Sequence, residues 1–154
     1  MLEEQQSAPD FSVADELGFV VHLGDYKANK NIVLYFYPKD DTPGCTIEAN
    51  QFTQYINEFT ALDTVIYGVS KDSCESHTDF IKKHDLQVGL FADTDGKLCE
   101  DYGVWQEKEK NGEKKMGIVR STFIIDKEGV IRYAEYGVTP DGHALAVLEK
   151  VKQL

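Results

Sequence analysis

Asn31-Ile-Val-Leu-Tyr-Phe-Tyr37 is an unbroken apolar run between Lys30 and Pro38, the pattern of a strand buried on both faces. Beyond Gly44 the rhythm changes. Cys45, Ala49, Phe52, Ile56 and Phe59 recur at intervals of four and three, which predicts a helix whose apolar stripe faces a sheet and has Cys45 at its head. Pro43 fits just before that helix or at its first position, where a missing N–H costs nothing. Upstream, Ala8–Asp15 and Phe19–Leu23 predict two short strands around Glu16-Leu-Gly18, an N-terminal hairpin. Downstream, Thr64–Ser70 predicts a strand. A helix follows from about Ser73 to His84, capped by Asp72 or Ser73, and then a strand at Gly89–Ala92. Asp95–Tyr102 predicts a short helix, Gly103–Trp105 an extended piece, and Gln106–Lys115 a charged loop containing Asn111-Gly112. Strands at Arg120–Asp126 and Val130–Tyr136 flank Lys127-Glu-Gly129, and a helix from about Asp141 to Lys152 closes the chain.

Strand–helix–strand–helix–strand, then an antiparallel pair and a last helix, implies a mixed α/β sheet with a parallel centre, an antiparallel edge and helices on both faces. With 154 residues and 42% hydrophobic side chains, one domain over 1–154 can fill a single core of ordinary size. The net charge of −11 opposes nucleic acid and anionic membranes as partners. No run approaches the roughly 20 apolar residues of a membrane span, and the start Met1-Leu-Glu-Glu-Gln-Gln-Ser lacks the build of a signal peptide. A cytoplasmic protein acting on a small neutral substrate is expected.

Cys45, Cys74 and Cys99 are the only cysteines, an odd number, and no Cys-x-x-Cys occurs. A structural disulfide framework, a zinc ribbon and a thioredoxin-type dithiol are therefore disfavoured. His22, His77, His84 and His143 show no metal-ligand spacing, and are expected to be solvated or locally hydrogen-bonded. Cys45 differs from an ordinary buried cysteine in its place. The free N–H groups of a helix's first turn and the positive end of its dipole favour a thiolate there. Pro38, Thr42 and Cys45 form a Pro-x-x-x-Thr-x-x-Cys pattern that sets a hydroxyl one loop turn before the sulfur. Asp40 and Asp41 either oppose the thiolate, so that a cation becomes necessary, or face solvent. Arg120, at the head of an apolar strand after an irregular loop, is the candidate cation. It holds its charge at any working pH and offers a fork of donors. Tyr37 and Trp105 line the pocket or simply pack.

The segment Tyr35-Phe-Tyr-Pro-Lys-Asp-Asp-Thr-Pro-Gly-Cys45-Thr resembles the active-site motif of the peroxiredoxins, specifically the peroxiredoxin Q branch, also called bacterioferritin comigratory protein. The likeness runs from about Ala8 to the C-terminus and extends to the Arg120-Ser-Thr-Phe context of the family's catalytic arginine. It implies a thioredoxin-like fold with an N-terminal extension and a thiol peroxidase that reduces hydrogen peroxide and small organic hydroperoxides. Pro38, Thr42, Cys45 and Arg120 would form the catalytic set, and thioredoxin or a similar dithiol would return electrons. No metal, haem or flavin is implied, and relatives are often monomers. A common form of the branch carries a resolving cysteine five residues after the nucleophile, where this chain has Asn50. Resolution of the sulfenic acid then falls to Cys74 in the first turn of its helix or to an external thiol, with Cys99 behind both. A non-enzymatic redox sensor or holdase is the alternative from another class. A general thiol–disulfide oxidoreductase is opposed by the missing Cys-x-x-Cys.

Overall fold

The computed structural model describes residues 1–154. The apolar run becomes β3 (Asn31–Phe36), buried at every position because both faces of the sheet are covered. It lies at the centre of the fold, pairing in parallel with β4 (Thr64–Ser70) and antiparallel with β8 (Ser121–Ile125). The seven-stranded sheet is completed by β5 (Gly89–Ala92) parallel to β4, the hairpin β1 (Ser12–Ala14) and β2 (Val20–His22), and the edge strand β9 (Ile131–Tyr136), in the order β2-β1-β5-β4-β3-β8-β9. This is the mixed sheet that the sequence predicts, and the fold is thioredoxin-like.

Alternation along β3 divides the core. Val33, Tyr35 and Tyr37 pack under α1 (Pro43–Gln54), α2 (Ile56–Ala61), α3 (Cys74–His84) and α5 (His143–Val151). Ile32, Leu34 and Phe36 face the other way, onto the N-terminal hairpin and α4 (Lys97–Asp101).

Two expectations change. The stripe from Cys45 to Phe59 is carried by two helices, because Tyr55 leaves helical geometry at φ −101° and ψ 9°. The kink still keeps Phe52 and Phe59 in one core, with ring centroids 6.0 Å apart. The charged stretch Gln106–Lys115 is a hairpin rather than a loop: β6 (Trp105–Lys110) pairs with β7 (Glu113–Ile118). Asn111 and Gly112 form its two-residue turn with φ of 54° and 82°, the doubly left-handed geometry that Asn-Gly supplies. No helix is long and apolar enough to cross a membrane.

Candidate active site

β3 delivers the chain to the C-terminal edge of the sheet, where Tyr37–Thr42 turns it into α1. Thr42 is the N-cap residue in extended geometry, and Pro43 takes the first helical position. The first backbone bond of the helix runs from Thr46 N–H to Thr42 O at 2.9 Å. The N–H groups of Gly44 and Cys45 are thus left without a helical acceptor. The Thr42 hydroxyl does not cap the helix; it donates to Lys39 O at 2.9 Å. Its proton is committed, so its lone pairs are what it offers a ligand. Pro38 is exposed on the same loop.

Cys45 is 1% exposed, and its Sγ receives Arg120 Nη2 at 3.3 Å. The other arm of the fork, Arg120 Nη1, donates to Glu48 Oε1 at 2.8 Å. Cys45 and Glu48 are three residues apart, hence on one face of α1, and a single guanidinium spans both. Arg120 lies between β7 and β8, anchored by the N–H groups of Gly137 and Val138, which each donate to its carbonyl at 2.9 Å. Gly44 makes the approach possible, since a Cβ there would stand 3.2 Å from Arg120 Nη2 and 3.3 Å from Pro140 Cγ. Burial lowers the guanidinium's affinity for its proton, but Glu48 and Cys45 outweigh it and the net shift is upward. Burial pushes Glu48 up to about 7 although Arg120 pulls it down. Glu48 belongs to this constellation without having been predicted from sequence.

The acidic pair does not confront the sulfur unpartnered. Asp40 is buried, and its Oδ2 meets His77 Nδ1 at 2.7 Å and accepts from Ser76 Oγ at 2.8 Å. The Tyr37 hydroxyl donates to Asp40 Oδ1 at 2.5 Å, so this ring is tied into the core rather than lining an open pocket. His77 Nε2 lies 2.8 Å from the carbonyl of Phe91, which can only accept, so that nitrogen carries a proton. The short contact to Asp40 is then either an imidazolium–carboxylate pair or a neutral pair sharing a proton, without net charge in both cases. Asp41 does face solvent, bonded to Lys83 at 2.6 Å and His84 at 2.8 Å. Helix α3 therefore clamps the Pro38–Thr42 loop at two points. Asp72 caps that clamp, accepting from Asp40 N–H and Ser70 Oγ. Asp40, Asp72 and His77 are close enough to hold a metal ion, yet their facing atoms are already satisfied by one another and by these donors.

In the imidazolium–carboxylate form, removing His77 would leave a buried carboxylate without its cation. His77→Leu is expected to destabilise the fold by about 3–5 kcal/mol, measured as the shift in urea unfolding. An unchanged midpoint would mean that Asp40 is not held as an ion pair.

All three thiols are free, and the other two have partners different from those of Cys45. Cys74 opens α3, which Ser73 caps by accepting from Ser76 N–H at 3.1 Å. Its half-buried Sγ donates to Asp15 O at 3.3 Å, in the N-terminal hairpin. Cys99 is buried in α4, and burial with Asp93 beside it raises its thiol well above the ordinary range, as suits a packing residue. Trp105 is half-buried under the Lys71 ammonium, 4.1 Å from the ring centroid. His143, on α5, lies 2.8 Å from Thr122 Oγ1 and is held neutral, lowered to about 4 by burial against an opposing pull from Glu135.

A thioredoxin-like sheet that presents a buried cysteine at a helix start, bridged to a glutamate by an arginine fork, is the class of fold and site to set beside known proteins. The AhpC/TSA family model matches residues 5–134. Peroxiredoxin Bcp of Bacillus subtilis is 46% identical over 153 residues, 99% of this chain and 97% of that one. The bacterioferritin comigratory protein of Xanthomonas campestris, whose alkyl peroxide reduction activity has been studied in trapped intermediate and ligand complexes, superposes with a TM-score of 0.91 at 35% identity over 98% of both chains. A cysteine-to-serine mutant of Xylella fastidiosa PrxQ gives a TM-score of 0.93 at 33% identity, covering 99% of this chain and 97% of that one. The chain belongs to the AhpC/TSA family, and within it to the peroxiredoxins of the Q or Bcp type.

Proposed function

We propose that this chain is a single-domain, cytoplasmic and monomeric thiol peroxidase that reduces hydrogen peroxide and small organic hydroperoxides, with Cys45 as nucleophile. The observation that carries the reading is Arg120 Nη2 at 3.3 Å from Cys45 Sγ, at the head of α1. The thiolate attacks one peroxide oxygen: an S–O bond forms, the O–O bond breaks, and the departing oxygen takes a proton to leave as water or alcohol. Cys45 is oxidised to sulfenic acid and the peroxide is reduced. Arg120 and the free N–H groups of the first helical turn meet the charge that develops on the oxygens. Thr42 accepts a hydrogen bond from the peroxide, and the ring of Pro38 stiffens the loop that carries Thr42.

A second thiol then displaces the sulfenic oxygen as water and leaves a disulfide, which thioredoxin or a similar dithiol reduces. Cys74 is the internal candidate. Its Sγ donates to Asp15 O, a bond that this route requires to break. The test is the intact mass and non-reducing peptide map after one equivalent of hydrogen peroxide. A Cys45–Cys74 link with two hydrogens lost establishes the internal route, whereas one oxygen retained on Cys45 establishes an external thiol. Oxidation located elsewhere, with Cys45 untouched, would overturn the assignment of the nucleophile.

A further inference from the structure

We propose that Glu48 is a positioning residue that competes with Cys45 for the single charge of Arg120, so that ionisation of Cys45 is coupled to protonation of Glu48. The inference rests on the reading of Cys45 as a thiolate nucleophile and deepens it. Two acids flank one fork: Sγ at 3.3 Å from Nη2 and Glu48 Oε1 at 2.8 Å from Nη1. Glu48 is fully buried, and its second oxygen, Oε2, has no hydrogen-bond partner. With a thiol and a carboxylate the trio is neutral, and it is equally neutral with a thiolate and a carboxylic acid. Ionising both leaves one negative charge uncompensated where Glu48 has no contact with water, which is the costly state.

The exchange balances within the site. The S–H bond of Cys45 breaks and an O–H bond forms at Glu48 Oε2, the oxygen that Arg120 does not hold. Arg120 stays charged throughout. The titration of Glu48 near 7 sets this exchange in the range where a thiol beside a cation ionises.

One further cation acts on the sulfur: Lys108 on β6, whose hold on its own proton is lowered by burial and Arg120 but raised by Cys45, and it gives its Nζ to Ile118 O at 2.8 Å rather than to Cys45 or Glu48. His143 on α5 is neutral. Tyr35 on β3 has an unpartnered hydroxyl that burial and Glu48 keep protonated. Glu135 on β9 is exposed and bonded to Tyr133, and Asp40 is paired with His77. Arg120 is thus the one cation bonded to both acids, and the two divide its charge.

The thiolate absorbance of the reduced protein, taken as a difference against Cys45→Ser, reads the coupling directly. In the wild type the titration of Cys45 should be broader than a one-proton curve. In Glu48→Gln, whose amide oxygen still accepts from Arg120 Nη1, it should sharpen to one proton and its midpoint should fall by about one pH unit. An unchanged curve, or a midpoint moved upward, would overturn the competition. A second measurement needs no change at Glu48. At about pH 8 the infrared spectrum should show a buried protonated carboxyl in the reduced wild type that is lost in Cys45→Ser, and its absence from the wild type would overturn the coupling. Peroxide turnover assayed alongside separates the two levels. Lost turnover with coupled titrations would remove the peroxidase reading alone, while normal turnover with independent titrations would remove only this role of Glu48.

Discussion

Cys45→Ser is expected to reduce peroxide consumption to the background of the remaining side chains while the fold is retained. Serine nearly reproduces the shape of cysteine, and its hydroxyl can still accept from Arg120 Nη2, so the guanidinium keeps both of its contacts on α1. What it lacks is the chemistry. An alcohol does not ionise near neutrality even beside a cation, and its oxygen is a far weaker nucleophile toward the O–O bond than a thiolate. The check is hydrogen peroxide loss with a dithiol reductant, beside the thermal unfolding midpoint, which should stay close to that of the wild type. Parallel variants make the result specific. Cys99→Ser should turn over normally, because that thiol is buried and kept protonated. Cys74→Ser should still give its first, stoichiometric oxidation at Cys45 and lose only the internal disulfide. Consumption at the wild-type rate in Cys45→Ser would move the chemistry to another group.

What could be read in advance follows a physical boundary. β3, β4 and β5 were legible because uninterrupted apolar runs permit little except a doubly covered strand. The β6–β7 hairpin was not, since Glu107–Met116 is exposed on both faces and leaves no apolar rhythm; only Asn111-Gly112 signalled it. The break at Tyr55 was hidden by a stripe that continues through it. In the site, Cys45 and Arg120 were legible as a helix-head thiol and a strand-head cation. Glu48 was missed because a glutamate between Cys45 and Phe52 reads as the solvated edge of a stripe, although its spacing of three from Cys45 was the available signal. The Asp40–His77 pair joins residues 37 apart, and nothing local to either of them announces the other. Contacts that depend on tertiary proximity are where a single sequence falls silent.

Arg120→Ala should slow peroxide attack by about 10²–10³-fold, the usual cost of deleting a donor aimed at developing negative charge. It should also weaken the fold, and the two effects come from different arms of the fork. Loss of Nη2 removes the contact at Cys45 Sγ, which makes the thiolate rarer at neutral pH and leaves the peroxide oxygens a donor short. Loss of Nη1 strands Glu48, fully buried, with neither oxygen partnered. The direction with pH follows from Glu48. Its carboxyl titrates near 4.5 when free and about 7 in the folded wild type. Arg120 is the group that pulls it down, so without Arg120 the folded value rises further. A carboxyl raised on folding binds more protons folded than unfolded, so its stability contribution is present below the unfolded value and is lost as pH rises through the folded one. The part of the Arg120→Ala stability deficit that comes from Glu48, read with Cys45→Ser in both proteins so that no thiolate raises the carboxyl, should therefore be small at about pH 5 and reach about 1.4 kcal/mol at about pH 8, one unit above the folded value. Adding Glu48→Gln should restore much of the stability at the higher pH without restoring the rate. Arg120→Lys should fall between, since an ammonium supplies charge without a fork that reaches Cys45 and Glu48 together. A deficit independent of pH would show that the guanidinium acts by packing, and recovery of turnover in the double variant would show that the rate loss came from the stranded carboxylate rather than from the missing donor at the sulfur.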